Sequence, residues 1–372
     1  MKTMKTGQKI FFAAFWFVIC GVWVFWLIFG CFTDNSNYEN RELAPMPQWT
    51  VETAEQFPRD FEAFFNDRLP FRNQMITLNS AADYYVFGRS SHYRTTVGKE
   101  GWLFYSDPAD GNPIACYQGT NLLSEEDLGA IAANCVRQRD LLAERGCEFV
   151  IFIVPNKNRV YSEYMPDVFG PPAEIYRALQ IVDYLRENTD LHVVYPYDNL
   201  MDAKSEISEN LYYRTDTHWD RIGGYVGSRA LLKELGIEMP GLSDPGLKIT
   251  RNGFKRGDLA KNLGLTAQLM GTDPEYDVEG YDTHGAELVK ETDTSYQYRA
   301  EGADPRKLFV VRDSFILSMI PHLSTQFNDS YYKHFMYYMY EDFEAFRPDI
   351  LIYETVERFA ANLRDFTVER GK

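Results

Sequence analysis

The segment Leu211-Tyr212-Tyr213-Arg214-Thr215-Asp216-Thr217-His218-Trp219-Asp220 sets a carboxylate two residues ahead of an imidazole. In a locally extended stretch, side chains at i and i+2 point to the same side, so Asp216 reaches one ring nitrogen of His218 and leaves the other free. That arrangement orients a general base. A helix N-terminus disfavours imidazolium and Asp216 favours it, so the opposing effects are expected to keep His218 near neutrality. A base of this kind needs a nucleophile. The apolar run Lys307-Leu308-Phe309-Val310-Val311 ends in Arg312-Asp313-Ser314-Phe315, which predicts Ser314 at a strand-to-helix turn, its hydroxyl beside the amides of the following helix. Ser314, His218 and Asp216 together would perform nucleophilic acyl transfer. The non-catalytic alternatives are that Ser314 caps its helix and that Asp216 caps another beside a surface histidine.

A third polar cluster, Pro155-Asn156-Lys157-Asn158-Arg159, directly follows the apolar run Phe149-Val150-Ile151-Phe152-Ile153-Val154. Loops at the carboxyl ends of such strands are where reactive groups gather in doubly wound sheets. Asn156 could donate to an oxyanion, and Lys157 or Arg159 could attract an anionic acceptor sugar, although turn formation and solvation account for the same residues. Arg312, next to the candidate serine turn, is a further candidate for substrate binding. Asp282-Thr283-His284 repeats the acid-x-His pattern, but it sits among glycines with no apolar strand leading into it and reads as a loop. The sequence has no GxSxG elbow, HExxH, GxGxxG or phosphate-binding loop, and no Cys/His spacing suited to a metal, so neither metal nor cofactor is expected.

The elements around these residues alternate. Ser124 and Asp127 form an N-cap signature ahead of Leu128, Ile131, Cys135 and Leu142, and Gly146 closes that helix. The strand from Phe149 to Val154 has no polar alternation, as expected for a sheet covered on both faces. A helix opened by Pro171-Pro172, a strand at Leu191 to Tyr195, a helix from Trp219 to Leu235, a strand at Leu308 to Val311, a helix after Ser314 and a strand at Asp349 to Tyr353 follow. This is an α/β chain with a parallel sheet flanked by helices. Trp102 to Tyr105 forms a short strand behind the turn Gly98-Lys99-Glu100-Gly101. Residues 240–305 lose periodicity and read as an irregular insertion. Cys116, Cys135 and Cys147 read as small buried hydrophobes with at most one disulfide.

The 372 residues hold 38 basic and 54 acidic side chains, a net charge of −16. The first 32 carry Lys2, Lys5 and Lys9 and no acid, so the remainder balances 35 against 54, or −19. Such a body repels phosphate backbones, which excludes nucleic acid as an expected partner. Ile10 to Phe29 is free of charge and is about the length that crosses a ~30 Å hydrocarbon layer as a helix. Lysines before it and Asp34, Glu39 and Glu42 after it predict a cytoplasmic N-terminus and an exported body, on the outer face or in the periplasm. A cleaved signal peptide is the rival, and Gly30-Cys31 weakly suggests a lipoprotein processing site; bulky Phe29 and Phe32 disfavour both. The expected organisation is an anchor at 1–32, a tether and helical segment at 33–95, with helix between 51 and 87 broken near Pro70, and a catalytic domain at 96–372.

Asp216-Thr217-His218-Trp219 followed by Val311-Arg312-Asp313-Ser314-Phe315 resembles the alginate O-acetyltransferase AlgX/AlgJ group and the related DHHW family. Glu39-Asn40-Arg41-Glu42-Leu43-Ala44, Asp67-Arg68-Leu69-Pro70-Phe71-Arg72, the segment from Val97 to Tyr105 and Pro155-Asn156-Lys157 are similar too, in the same order. The resemblance implies an SGNH-hydrolase-like domain with circularly permuted motif order, in which Ser314 carries acetyl, His218 is the base and Asp216 orients it. It also implies O-acetylation of an exported polysaccharide, with acetyl supplied by a multi-pass membrane acyltransferase. Arg312 departs from the family by standing where a glycine commonly precedes Asp-Ser. A carbohydrate esterase with the same triad, or a non-catalytic envelope assembly protein, are the alternative functions.

Overall fold

The computed structural model describes residues 6–29, 42–69, 71–90 and 92–369. The chain divides into two compact units, residues 1–91 with 261–266, and residues 92–260 with 267–372. In the first, the apolar N-terminal run is one helix, Thr6–Phe29, of 24 residues. The side chains at 19, 22, 23, 26 and 29 lie outside the described set, and among the described residues no helix is long and apolar enough to cross a membrane. The segment expected to cross is thus helical. Lys2, Lys5, Gly30-Cys31, Phe32, the acids at 34 and 39, the tether residues 33–41 and Pro70 lie outside the described residues. The helical stretch expected over 51–87 is Phe57–Asp67 and Arg72–Tyr85, with Phe61 stacked on Phe57 and Phe65.

In the second unit, Thr95–Val97 (β1) and Leu103–Tyr105 (β2) pair antiparallel across the Gly98–Gly101 turn. The main sheet takes in Glu148–Val154 (β3) and His192–Val194 (β4). Lys248–Lys255 (β5) and Asp273–Glu279 (β6) form a separate antiparallel ribbon. Glu287–Thr292 (β7), Ser295–Arg299 (β8), Asp304–Arg312 (β9), Phe327–His334 (β10) and Ile350–Val356 (β11) complete the main sheet, in the order β4-β3-β11-β9-β10-β8-β7. The first five in that order run parallel, while β8 pairs antiparallel with β10 and β7 with β8. The sheet is thus mixed, and the stretch 240–305 supplies four strands. Those strands escape a periodicity search because they are half-solvated ribbons: every residue of β7 is exposed, so no apolar alternation marks it.

The uninterrupted apolar runs of β3, β9 and β11 follow from burial on both faces. On one face Phe149, Ile151, Phe309 and Leu351 pack with Ile131, Cys135 and Leu142 of helix Glu125–Ala143 and Ile181 and Leu185 of helix Arg177–Asn188. On the other, Val150, Phe152, Val310 and Ile352 pack with Ile222, Tyr225 and Leu231 of helix Arg221–Glu234. The Ser124 hydroxyl accepts the Asp127 N–H and caps its helix as expected, a contact worth about 1 kcal/mol. Cys116, Cys135 and Cys147 are buried and unpaired. Two helix boundaries differ from expectation. The helix after Pro171-Pro172 begins only at Arg177, and the helix after Ser314 is a short 3-10 turn, Phe315–Ser318, followed by Ile320–Leu323.

Candidate active site

Because β3, β11 and β9 are parallel neighbours, the residues that follow Val154, Val356 and Arg312 emerge at one edge of the sheet. The acid-x-His segment comes to this edge as a loop and not as the extended stretch the spacing suggested. Tyr212 and Trp219 form an isolated antiparallel bridge, with Tyr213 N–H donating to the His218 carbonyl at 3.2 Å and Asp220 N–H to that of Leu211 at 2.9 Å. At the loop's tip, Asp216 Oδ1 accepts both the backbone N–H of His218, at 3.0 Å, and its ring Nδ1, at 2.7 Å. Asp216 Oδ2 accepts the Asp258 N–H at 2.9 Å. The acceptor at Nδ1 holds the proton there, which leaves the Nε2 lone pair for Ser314 Oγ, 2.7 Å away.

Both capping alternatives fall to neighbouring acids. Ser314 makes no side-chain cap bond; Asp313 instead accepts Phe315 N–H through Oδ1 and Val356 N–H through Oδ2. Helix Arg221–Glu234 is capped by Asp220, which accepts from Ile222 and Gly223. The two segments are tied by Trp219 Nε1, which donates to the Phe315 carbonyl at 2.8 Å, and by Ser318 Oγ, which donates to that of Trp219 at 3.2 Å. Gly224 permits this approach, since a Cβ there would lie 2.4 Å from the Ser318 carbonyl oxygen.

Burial raises the Asp216 pKa, but hydrogen bonds and charge from His218, and the amides of His218 and Asp258, outweigh it and bring the carboxyl down to about 2. For His218, burial lowers the pKa, and the hydrogen bond and charge of Asp216, with the charges of Asp258 and Asp313, raise it above its ordinary value. The expected balance near neutrality thus tips toward the acids. The helix N-terminus that would oppose them starts at Arg221, and its first amides donate to the Asp220 cap. The ligating atoms of Asp216, His218 and Asp258 lie within 4.8 Å of one another, a spacing that a metal ion could bridge, yet His218 Nδ1 and both Asp216 oxygens already hold hydrogen bonds.

The third cluster is buried. Lys157 Nζ donates to three backbone carbonyls, those of Tyr213, Arg214 and Asp216, which removes it from any anionic sugar. Arg159 donates to the carbonyls of Ala173, Cys116 and Tyr117, faces Glu357 at 3.6 Å and covers the Tyr176 ring. It is a core cross-link. Arg312 is buried over the Tyr296 ring and donates to the Asp313 carbonyl, so it faces the sheet and offers no exposed charge. Asn156 accepts from Arg358 through Oδ1, while its buried Nδ2 has no hydrogen-bond partner. Residues that went unread in the sequence complete the site: Asp258, Asp273, and Glu354, whose Oε2 accepts the Asp313 N–H at 2.7 Å. An acid inside the apolar strand Ile350–Val356 was the one available signal for Glu354.

A profile of the family described as "SGNH hydrolase-like domain, acetyltransferase AlgX" matches residues 95–304. The chain belongs to this family. Among curated relatives, the probable alginate O-acetylase AlgJ of Pseudomonas putida is 27% identical over 55% of this chain and 50% of the relative, and that of Pseudomonas fluorescens 26% over 80% and 76%. The chain spans about half the length of the first relatives it matches. Among solved structures, a DHHW family protein from Eubacterium siraeum superposes with TM-score 0.50 at 14% identity, covering 68% of this chain and 92% of that one, which supports the fold alone. The O-acetyltransferase domain of Pseudomonas putida AlgJ covers 72% of this chain and 92% of that one, with TM-score 0.45 and 20% identity. Membership in the AlgX family agrees with the helix-flanked sheet, and the matched span takes in Asp216 and His218 and ends before Ser314.

Proposed function

We propose that this AlgX-family chain is a membrane-anchored, extracytoplasmic O-acetyltransferase that carries acetyl on Ser314 and passes it to a hydroxyl of a cell-envelope or exported polysaccharide. The observation that carries the reading is the unbroken hydrogen-bonded chain from Asp216 through His218 to Ser314. In the first half-reaction His218 Nε2 takes the Ser314 proton as Oγ attacks the acetyl carbonyl, and returns it to the departing donor group. In the second, Nε2 takes the proton of the sugar hydroxyl, which attacks acetyl-Ser314, and delivers it to Oγ as the ester breaks. Asp216 stays ionised and stabilises the transient imidazolium. The Phe315 amide is committed to Asp313, so the Ser314 N–H and the unpartnered Asn156 Nδ2 are the proposed oxyanion donors, each well-placed one contributing ~3 to 4 kcal/mol.

The relatives' name, alginate O-acetylase, makes an anionic polymer such as alginate one acceptor to try. Helix Thr6–Phe29, uncharged from Ile10, is the proposed membrane anchor, with the N-terminus inside and the sheet domain outside. An integral, multi-pass membrane acyltransferase is the proposed acetyl source. Incubating the protein with an activated acetyl ester, with and without oligosaccharide, tests the reading. Acetylated sugar that disappears with Ser314→Ala supports transfer, brisk hydrolysis indifferent to sugar points to an esterase, and no Ser314-dependent turnover at all leaves a non-catalytic envelope protein.

A further inference from the structure

The loop that carries Asp216 and His218 has little secondary structure of its own. Besides the amides of Leu103 and Ala260, which donate to the Arg214 and Thr215 carbonyls, charged side chains from three distant segments meet its backbone groups. From the end of β3, Lys157 Nζ donates to the carbonyls of Tyr213 at 3.0 Å, Arg214 at 3.3 Å and Asp216 at 2.6 Å, which uses all three N–H bonds of an ammonium. From the other side Asp273, the first residue of β6, accepts the N–H of Arg214 at 2.5 Å and of Thr215 at 2.9 Å, together with the Thr215 hydroxyl. Asp258 accepts the Thr217 N–H at 2.7 Å and gives its own N–H to Asp216.

Lys157 and Asp273 are each at most 3% exposed, and the ammonium sits 5.3 Å from the Phe104 ring and 5.7 Å from that of Trp102. Burying an ammonium against neutral carbonyls carries a desolvation cost that an apolar side chain would avoid. What the lysine holds is therefore informative: its shortest bond goes to the carbonyl of Asp216 itself.

We propose that Lys157 and Asp273 form a two-sided clamp, gripping carbonyls from one side and amides from the other, that sets Asp216 and His218 in register with Ser314. Both are then positioning residues for acyl transfer. The inference rests on the Ser314-His218-Asp216 reading above. It places the ribbon β5–β6 in service of the site, since β6 delivers Asp273 and the turn before Asp258 presents Gly257, where a Cβ would lie 2.1 Å from the Thr215 carbonyl oxygen.

The test compares the whole chain with its Lys157→Met, Lys157→Arg, Asp273→Asn, Thr215→Val and Ser314→Ala variants. Turnover of p-nitrophenyl acetate is measured alongside hydrogen–deuterium exchange of residues 211–220. The clamp predicts that kcat falls about 10- to 100-fold in Lys157→Met and Asp273→Asn, the scale of a ~1 Å misplacement, with KM within about twofold. Exchange at 211–220 rises while β3, β9 and β11 stay protected, and Lys157→Arg, which keeps cationic donors, recovers part of kcat. Wild-type kcat in a folded Lys157→Met or Asp273→Asn protein overturns the clamp. If Lys157→Met does not fold, Asp273→Asn and Thr215→Val, which removes only the hydroxyl bond, decide by the same criteria. Turnover indifferent to Ser314→Ala would sink the acyl-transfer reading instead; exchange at 211–220 then decides alone, and unchanged protection in the variants overturns the clamp.

Discussion

His218 Nε2 lies 2.7 Å from Ser314 Oγ although 96 positions separate the two residues. The contact depends on Trp219 and Ser318, whose hydrogen bonds hold the loop after Tyr212 against the turn after β9. The serine hydroxyl has no structural duty there, since Asp313 satisfies the turn's amides.

Ser314→Ala is therefore expected to separate activity from folding. Acetyl-ester turnover should drop by roughly 10³-fold or more, while the thermal midpoint stays close to wild type. A large loss of stability, seen by calorimetry, would contradict the assignment of Asp313 as the group that holds this turn.

The pH profile reports on His218. A base works when neutral, and the acids around His218 raise its pKa above the ordinary value. Activity should accordingly climb with pH through a midpoint above about 6.5. Asp258→Asn removes one of the raising charges while its Oδ1 can still accept the Thr217 N–H, so the midpoint should move to lower pH. A profile unchanged by that substitution would count against Asp258 as part of the site's field.

Asp216 ties stability to acid. Its folded pKa, about 2, lies below the ordinary 3.8, so its contribution is fully present above the unfolded value and is lost as pH falls toward 2. The stability gap between wild type and Asp216→Asn should reach roughly 2 kcal/mol near pH 6 and shrink between pH 4 and 2. Urea titrations at several pH values would measure it; a gap that does not change with pH would refute the pairing.

Gly224→Ala probes the seam between helix and turn. The added methyl would meet the Ser318 carbonyl at 2.4 Å, forcing helix Arg221–Glu234 away from the Phe315–Ser318 turn at a cost of about 1 to 3 kcal/mol. Activity should fall together with stability, measured by turnover and thermal unfolding on the same sample.

Asp216, His218 and Ser314 were legible in the sequence because each stands beside a local signal: an i, i+2 pair ahead of an amphipathic helix, and a hydroxyl at the end of an apolar run. Asp258 and Asp273 carried no such signal. Asp258 opens a short helix and Asp273 begins β6, 42 and 57 positions beyond Asp216 by residue number, and only tertiary folding makes them neighbours of the loop. Lys157 and Arg159 were misread for a related reason. A cation after a strand is usually solvated, but here long side chains turn inward to backbone carbonyls of the loop and of the segments around Tyr117 and Ala173. Parallel pairing was legible for the doubly buried strands and failed at β7 and β8, whose polar faces give no alternation to read.

One edge of the main sheet is β7, a fully exposed strand carrying Glu287, Lys290 and Glu291 and a register shift after Leu288. An open sheet border normally invites edge-on association with another copy and growth into aggregates. Charges and a bulge make this border a poor template for such pairing, so the folded protein should stay dispersed when crowded at a surface.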